Sequence, residues 1–351
     1  MRYEYVHSAD AGSSPAGDDA GTSQRSSRNR KLFLAKIAIG VTLCAVIVAR
    51  IDWRAASESL AGIGVGLVAV MLGILVALVF LSAYKWRVLL AIHGVELSTL
   101  RLSRYYFVAL FFNNFLPTSI GGDGYRIYKT MHNGRSRASA VIAVVMERLT
   151  GFGTLVALGL GSSALVAAKS AGQPVMLAIG AVAAGCIAAA PLAWRMRSFV
   201  SARLLAAAPG KLRRPIATVA EHIDDYRRQP GRSLMVILVS IVFHVGLAFA
   251  YFMLLRYGAD QPISMLHVMT VLAVTTCVAV LPISFNGLGV YEGTFIYLLA
   301  QYGVPPDVSV VPMILNRGIL IALSLVGAGL YLLDTARVVV DGRPASVDAA
   351  R

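Results

Sequence analysis

Apolar residues run through this chain in long blocks, separated by short stretches dense in arginine, lysine, glycine and proline. Blocks of that length predict membrane-spanning helices, and they fall at about residues 32–49, 62–84, 139–168, 173–194, 233–255 and 308–333, six full spans in all. Two further apolar segments, at about 103–131 and 264–302, are interrupted by proline and glycine. The first contains FFNNFLPTSIGGDGYRIY, from Phe111 to Tyr128, and the second LPISFNGLGVYEGTFIY, from Leu281 to Tyr297. Aligning Leu116 with Leu281 pairs Pro117 with Pro282, Ser119 with Ser284, Gly122 with Gly287 and Gly124 with Gly289, so one motif is used twice. Proline removes a helical hydrogen bond, so the backbone breaks at membrane depth and is re-satisfied by protein or water. Broken helices in matching positions of two halves point to a transport site.

Basic residues decide how the broken segments sit. If each crossed the membrane once, the stretch with Arg126, Lys129, Arg135 and Arg137 would face outside, against the positive-inside rule. If each dips in and returns, cytoplasmic stretches hold 25 basic residues and external loops four, namely Arg50, Arg54, Lys169 and Arg256. The expected fold is therefore all-α and polytopic. Each half, about 32–168 and about 173–335, holds three full spans and one re-entrant hairpin, and an odd number of spans inverts the second half relative to the first. Residues 1–31 are expected to form a disordered cytoplasmic tail, and 336–351 a cytoplasmic C-terminal tail; no soluble domain is expected. The basic loop at 195–232 suits short helices on the inner leaflet, and the location expected is the inner (cytoplasmic) cell membrane.

Composition agrees. Hydrophobic residues make up 57% of 351 positions and charged ones 14%, which excludes an ordinary soluble domain. The formal charge of +14 would suggest nucleic acid in a soluble protein, but here the cations mark loop orientation and anionic headgroups, so no nucleic-acid partner is expected. Cys44, Cys186 and Cys277 stand apart in apolar spans, without metal-ligand or disulfide spacing. No Walker, HExxH or GxSxG motif occurs, so neither cofactor, metal nor enzymatic activity is expected.

Charges inside spans are costly and face a polar cavity or one another. Glu147 and Arg148 follow the first hairpin, and Asn316 and Arg317 follow the second, both pairs about nine residues into their spans. On a 1.5 Å rise the two arginines approach the midplane from opposite sides, where converging guanidiniums would bind a phosphate. The hairpins add Asp123, Arg126 and Glu292, and their glycines, Gly121, Gly122, Gly124, Gly287 and Gly289, leave backbone N–H groups free for an anion. The plainer reading makes these charges ion pairs that lock the hairpins. Asn113, Asn114 and Asn286 suit capping of broken helix ends better than substrate contact. His244 and His267 read as packing residues before proton relays, and Tyr84, Trp86, Tyr105 and Tyr106 as an interfacial belt beside a basic loop that begins at Lys85.

LPTSIGGDGYRIY, MERLTGF at 146–152 and LPISFNGLGVYEG at 281–293 together resemble the lysylphosphatidylglycerol synthase transmembrane region family, also described as flippase-like integral membrane proteins, over about residues 32–335. The pattern falls on Asn114, Leu116, Pro117, Gly121, Gly122, Asp123, Arg126, Glu147, Arg148, Pro282, Asn286, Gly287, Gly289, Glu292 and Arg317. The resemblance implies lipid translocation: members move aminoacylated phosphatidylglycerol between leaflets, and others are linked to polyprenyl-phosphate pathways. The sequence stops at Arg351, about 18 residues after its last span, so synthase activity is not implied. The expected partner is an anionic membrane lipid, with enzymes of envelope lipid or glycolipid synthesis as further partners. A membrane transferase using a hairpin carboxylate as base, and an accessory scaffold of glycolipid synthesis, are the alternatives.

Overall fold

Long apolar runs without internal turn residues satisfy their backbone within the helix, and the computed structural model is helical throughout its described secondary structure. It describes residues 38–39, 41–115, 121–131, 137–169, 225–281, 283–284 and 287–340. The predicted tail at 1–31, the span at 173–194, most of the basic loop, the end of the chain beyond 340, and Pro117, Pro282 and Asn286 lie outside these residues.

In chain order the helices are α1 (Val41–Arg50), α2 (Trp53–Ala61), α3 (Val65–Ile92), α4 (Thr99–Phe115), α5 (Gly121–Met131), α6 (Arg137–Lys169), α7 (Pro230–Met253), α8 (Met265–Val280), α9 (Val290–Ala300) and α10 (Pro306–Val340). A π-turn at Leu254–Gly258 extends α7. Among the described residues α3, α6, α7 with its π-turn, and α10 are long and apolar enough to cross a membrane. Their outer faces keep large side chains exposed, such as Val70 and Phe80 on α3, Val141 and Val145 on α6, Leu238 and Val242 on α7, and Leu325 and Leu332 on α10. Apolar surface of that extent belongs against lipid, and the chain is a multi-pass membrane protein.

Both broken segments fold back on themselves. In the first, Gly122 of α5 lies against Ala109 and Asn113 of α4, and Arg126 lies over the Tyr106 ring at 4.4 Å, so the arms run antiparallel. In the second, Gly287 meets Ala279 near the turn while the rings of His267 and Tyr302 approach to 4.4 Å at the far end. The short arms, α5 and α9, have 11 residues each. At 1.5 Å per residue such an arm spans about 16 Å, roughly half a hydrocarbon core.

The central α3 packs on α4, α6 and α7, burying Met71, Leu75 and Leu78 with Tyr251, Leu254 and Val271. A second cluster gathers Trp86, Leu89 and Leu90 with Leu102, Ile142 and Val236. Each hairpin's long arm lies along the other half's last helix, α4 on α10 and α8 on α6. Glycine permits both approaches: a methyl on Gly327 would stand 2.0 Å from the Phe107 carbonyl oxygen, and one on Gly159 would stand 2.3 Å from the Ala273 Cβ. The last turn of α3 is closed by α7, where Arg232 donates to the Ala91 carbonyl at 2.7 Å and Gln229 to that of Ile92 at 3.0 Å.

The end of α3 differs from the sequence expectation. The helix predicted to end at Tyr84 continues to Ile92, because the apolar run Val88–Ile92 follows the charged interruption and packs inward. Lys85 is thereby removed from the predicted loop and buried inside a spanning helix.

Candidate functional site

The first hairpin is fixed by its own polar residues. Asn113 accepts from the Gly122 amide at 2.9 Å, capping the start of α5, and Asn114 reaches across to donate to the Leu320 carbonyl on α10 at 3.4 Å. With its N-terminus so placed, α5 projects Asp123 and Arg126 from one face, where α6 presents Glu147 and Arg148.

These four charges form one network. Arg126, only 2% exposed, donates to Glu147 Oε2 at 2.8 Å and to Asp123 Oδ1 at 2.5 Å. Its guanidinium lies between rings, 4.4 Å from that of Tyr106 and 5.0 Å from that of Trp86, and Tyr106 donates its hydroxyl to Glu147 Oε1. A buried cation is tolerable when its charge is paired, and Arg126 has two carboxylates and two aromatic rings against it. Arg148 donates to both Asp123 oxygens, at 3.1 and 3.0 Å through one nitrogen and at 3.3 Å through Nε, but its side chain remains 62% exposed. Lys85 donates to the Glu147 carbonyl at 3.0 Å.

The network lines part of a cavity of about 580 Å³ enclosed by α3, α4, α5, α6, α7 and α8. Leu149, Phe152 and Val280 stand at it and are themselves well exposed, giving it an apolar mouth. His244 also lines it and bonds the Gly151 carbonyl at 2.9 Å. His267 lies elsewhere, in a capping box with Ser264 at the start of α8.

A second cavity, about 610 Å³, is lined by α7, the second hairpin and α10, and includes Tyr291, Glu292, Asn316 and Arg317. Arg148 is the twelfth residue of α6 and Arg317 the twelfth of α10, but the structure puts them in separate cavities, so they do not converge on one anion. Glu292 turns back to accept from the Gly289 amide at 2.7 Å, capping α9, and among the described residues it forms no ion pair with Arg317. Gly287 and Gly289 take positive φ, +72° and +74°, in the turn that leads there.

Counting 165 residues on from the first site shows what the second has lost. Trp86 and Arg126 correspond to Tyr251 and Tyr291, which hydrogen-bond to each other; Asp123 corresponds to Leu288 and Lys85 to Ala250. The ionic cluster thus belongs to one half, while an arginine at the twelfth position of the last helix, 169 residues on rather than 165, is found in both. Sequence reasoning missed Lys85, Trp86 and Tyr106 as members of the site, having assigned the aromatics to an interfacial belt. The signal was the apolar run after Arg87, which shows that the helix continues.

A family model described as the lysylphosphatidylglycerol synthase TM region matches residues 33–327. No curated protein matches the chain.

Proposed function

The chain belongs to the lysylphosphatidylglycerol synthase transmembrane region family, and from that membership and the two cavities we propose that it is a lipid transporter of the cytoplasmic membrane. It moves an anionic phospholipid or polyprenyl-phosphate-linked lipid between leaflets, with both termini in the cytoplasm. The observation that carries this reading is the first cavity's lining, which joins the charged network to exposed apolar side chains. That pairing suits an amphipathic cargo whose phosphate enters while its chains stay at Leu149, Phe152 and Val280. Arg148 is the phosphate ligand there, because its fork is exposed and, among the described residues, held only by Asp123, which a phosphate can displace. Arg317 serves the second cavity in the same way, with Asn316 beside it. Arg126, Asp123 and Glu147 hold the first hairpin, and Glu292 holds the second through its cap on α9.

The exchange of hairpin arms between halves, α4 onto α10 and α8 onto α6, supports an inverted repeat whose hairpins open on opposite sides. A transferase reading is less well supported, since Asp123 and Glu147 are already engaged by arginine and Glu292 by a backbone amide. Leaflet exchange of a headgroup-labelled phosphatidylglycerol in reconstituted vesicles tests the proposal. Exchange above that of protein-free vesicles is expected from the full chain and reduced exchange from Arg148→Lys; a full chain indistinguishable from empty vesicles would overturn the reading.

A further inference from the structure

The described residues of the first cavity carry three cations, Lys85, Arg126 and Arg148, against two carboxylates, Asp123 and Glu147. Both carboxylates are committed. Asp123 receives Arg126 and Arg148, and Glu147 receives Arg126 and the Tyr106 hydroxyl. Lys85 is only 7% exposed, and among the described residues it makes no ion pair, its hydrogen bond going to the Glu147 main-chain carbonyl. An ammonium has three donors, and a buried one without a counter-charge is expensive. The fold does not need the charge: the corresponding position in the second half is Ala250, equally buried on α7.

We propose that Lys85 is the counter-charge for the phosphate of an anionic membrane lipid drawn into this cavity, acting with Arg148 as a two-cation subsite. A single surplus positive charge matches a phosphodiester carrying one negative charge. The same surplus disfavours a headgroup bearing a net positive charge, so the cavity selects lipids whose phosphate is not offset by an amine. The identity of the anion as a lipid rests on the transport reading above; the site itself rests on the unmatched cation.

The test is thermal melting of the purified full chain in neutral detergent at fixed ionic strength, with short-chain phosphatidylglycerol, short-chain phosphatidylcholine or inorganic phosphate added. Phosphatidylglycerol should raise the melting temperature of the wild-type chain and phosphatidylcholine should not. Lys85→Met should melt at or above the unliganded wild type, because an apolar side chain of similar length replaces a desolvated charge. Its half-saturation by phosphatidylglycerol should weaken by about tenfold, as expected for one lost charge-assisted contact. Lys85→Gln carries the same comparison should the Met variant fail to fold. Undiminished stabilisation of the variants by phosphatidylglycerol would overturn the proposal. Inorganic phosphate matching the lipid in a Lys85-dependent manner would overturn the assignment to a lipid. In vesicles, unaltered exchange by Lys85→Met would sink the site alone, whereas Lys85-dependent binding by a chain that moves no lipid would sink the transport reading alone.

Discussion

Arg126 is enclosed by two carboxylates and two aromatic rings, so a change of shape there is felt on every side. Lysine keeps the charge but cannot reach Asp123 and Glu147 together with a planar fork. Arg126→Lys should therefore lower stability, and Arg126→Ala should cost about 3 to 5 kcal/mol by removing the ion-pair partner of Glu147 and leaving Asp123 with Arg148 alone. Thermal melts in detergent check this, and an Arg126→Ala protein as stable as wild type would show that the network is not structural. Arg148→Lys should melt normally, because its side chain is largely exposed, yet slow lipid exchange. The sequence brought Asp123, Arg126, Glu147 and Arg148 to notice as charges in apolar surroundings, but it could not divide them into holders and binders. That division depends on burial, which spacing along the chain does not encode. The convergence of Arg148 with Arg317 failed for a related reason: equal depth along two helices says nothing about which faces they present.

The glycines of the two hairpins reach the same sensitivity by different physics. Gly122 sits in regular helix, and a methyl on it would stand 2.3 Å from the Ala109 carbonyl oxygen and 2.7 Å from Asn113, so the arms would have to part. Gly287 has φ +72°, and a side chain there costs about 1 to 3 kcal/mol in backbone strain besides meeting Ala279 at 3.2 Å. Gly122→Ala and Gly287→Ala should both abolish exchange in vesicles, whereas Gly66→Ala, with no neighbour within 4 Å, should behave as wild type. Tolerance of Gly287→Ala alone would mean that only the first hairpin gates. Gly159 and Gly327 add a case the repeated motif did not signal, for they lie on long helices where nothing local requires glycine. Gly327→Ala should loosen the packing of α10 on α4 and lower the melting temperature. The hairpins themselves were legible, because proline and glycine in apolar sequence leave few alternatives. The crossings were not, since the partner of each glycine lies more than a hundred residues away.

For the whole molecule, the fold-back of both broken segments bears on how the chain is threaded. An antiparallel pair of arms returns the chain to the side it left, so the loop before α4 and the start of α6 share one side, as do the loop before α8 and the start of α10. With Lys85 and Arg126 buried rather than lying in loops, the basic residues assigned to the inner side fall from 25 to 23 against four outside, and the asymmetry still supports the proposed orientation. The proposed orientation puts the side holding Arg87, Arg101, Arg104, Arg228 and Arg232 in the cytoplasm and the turn at Ala259 outside. Single cysteines in a chain with its native ones replaced test this with an impermeant thiol reagent applied from outside intact cells. A cysteine at Ala259 should label, while cysteines at Ser136 and Ser233 should stay protected until the membrane is opened. External labelling at Ser136 with protection at Ser233 would place the two ends of the first hairpin on opposite sides. The inverted relation of the halves would then fall, and with it the proposal that the two hairpins open on opposite sides.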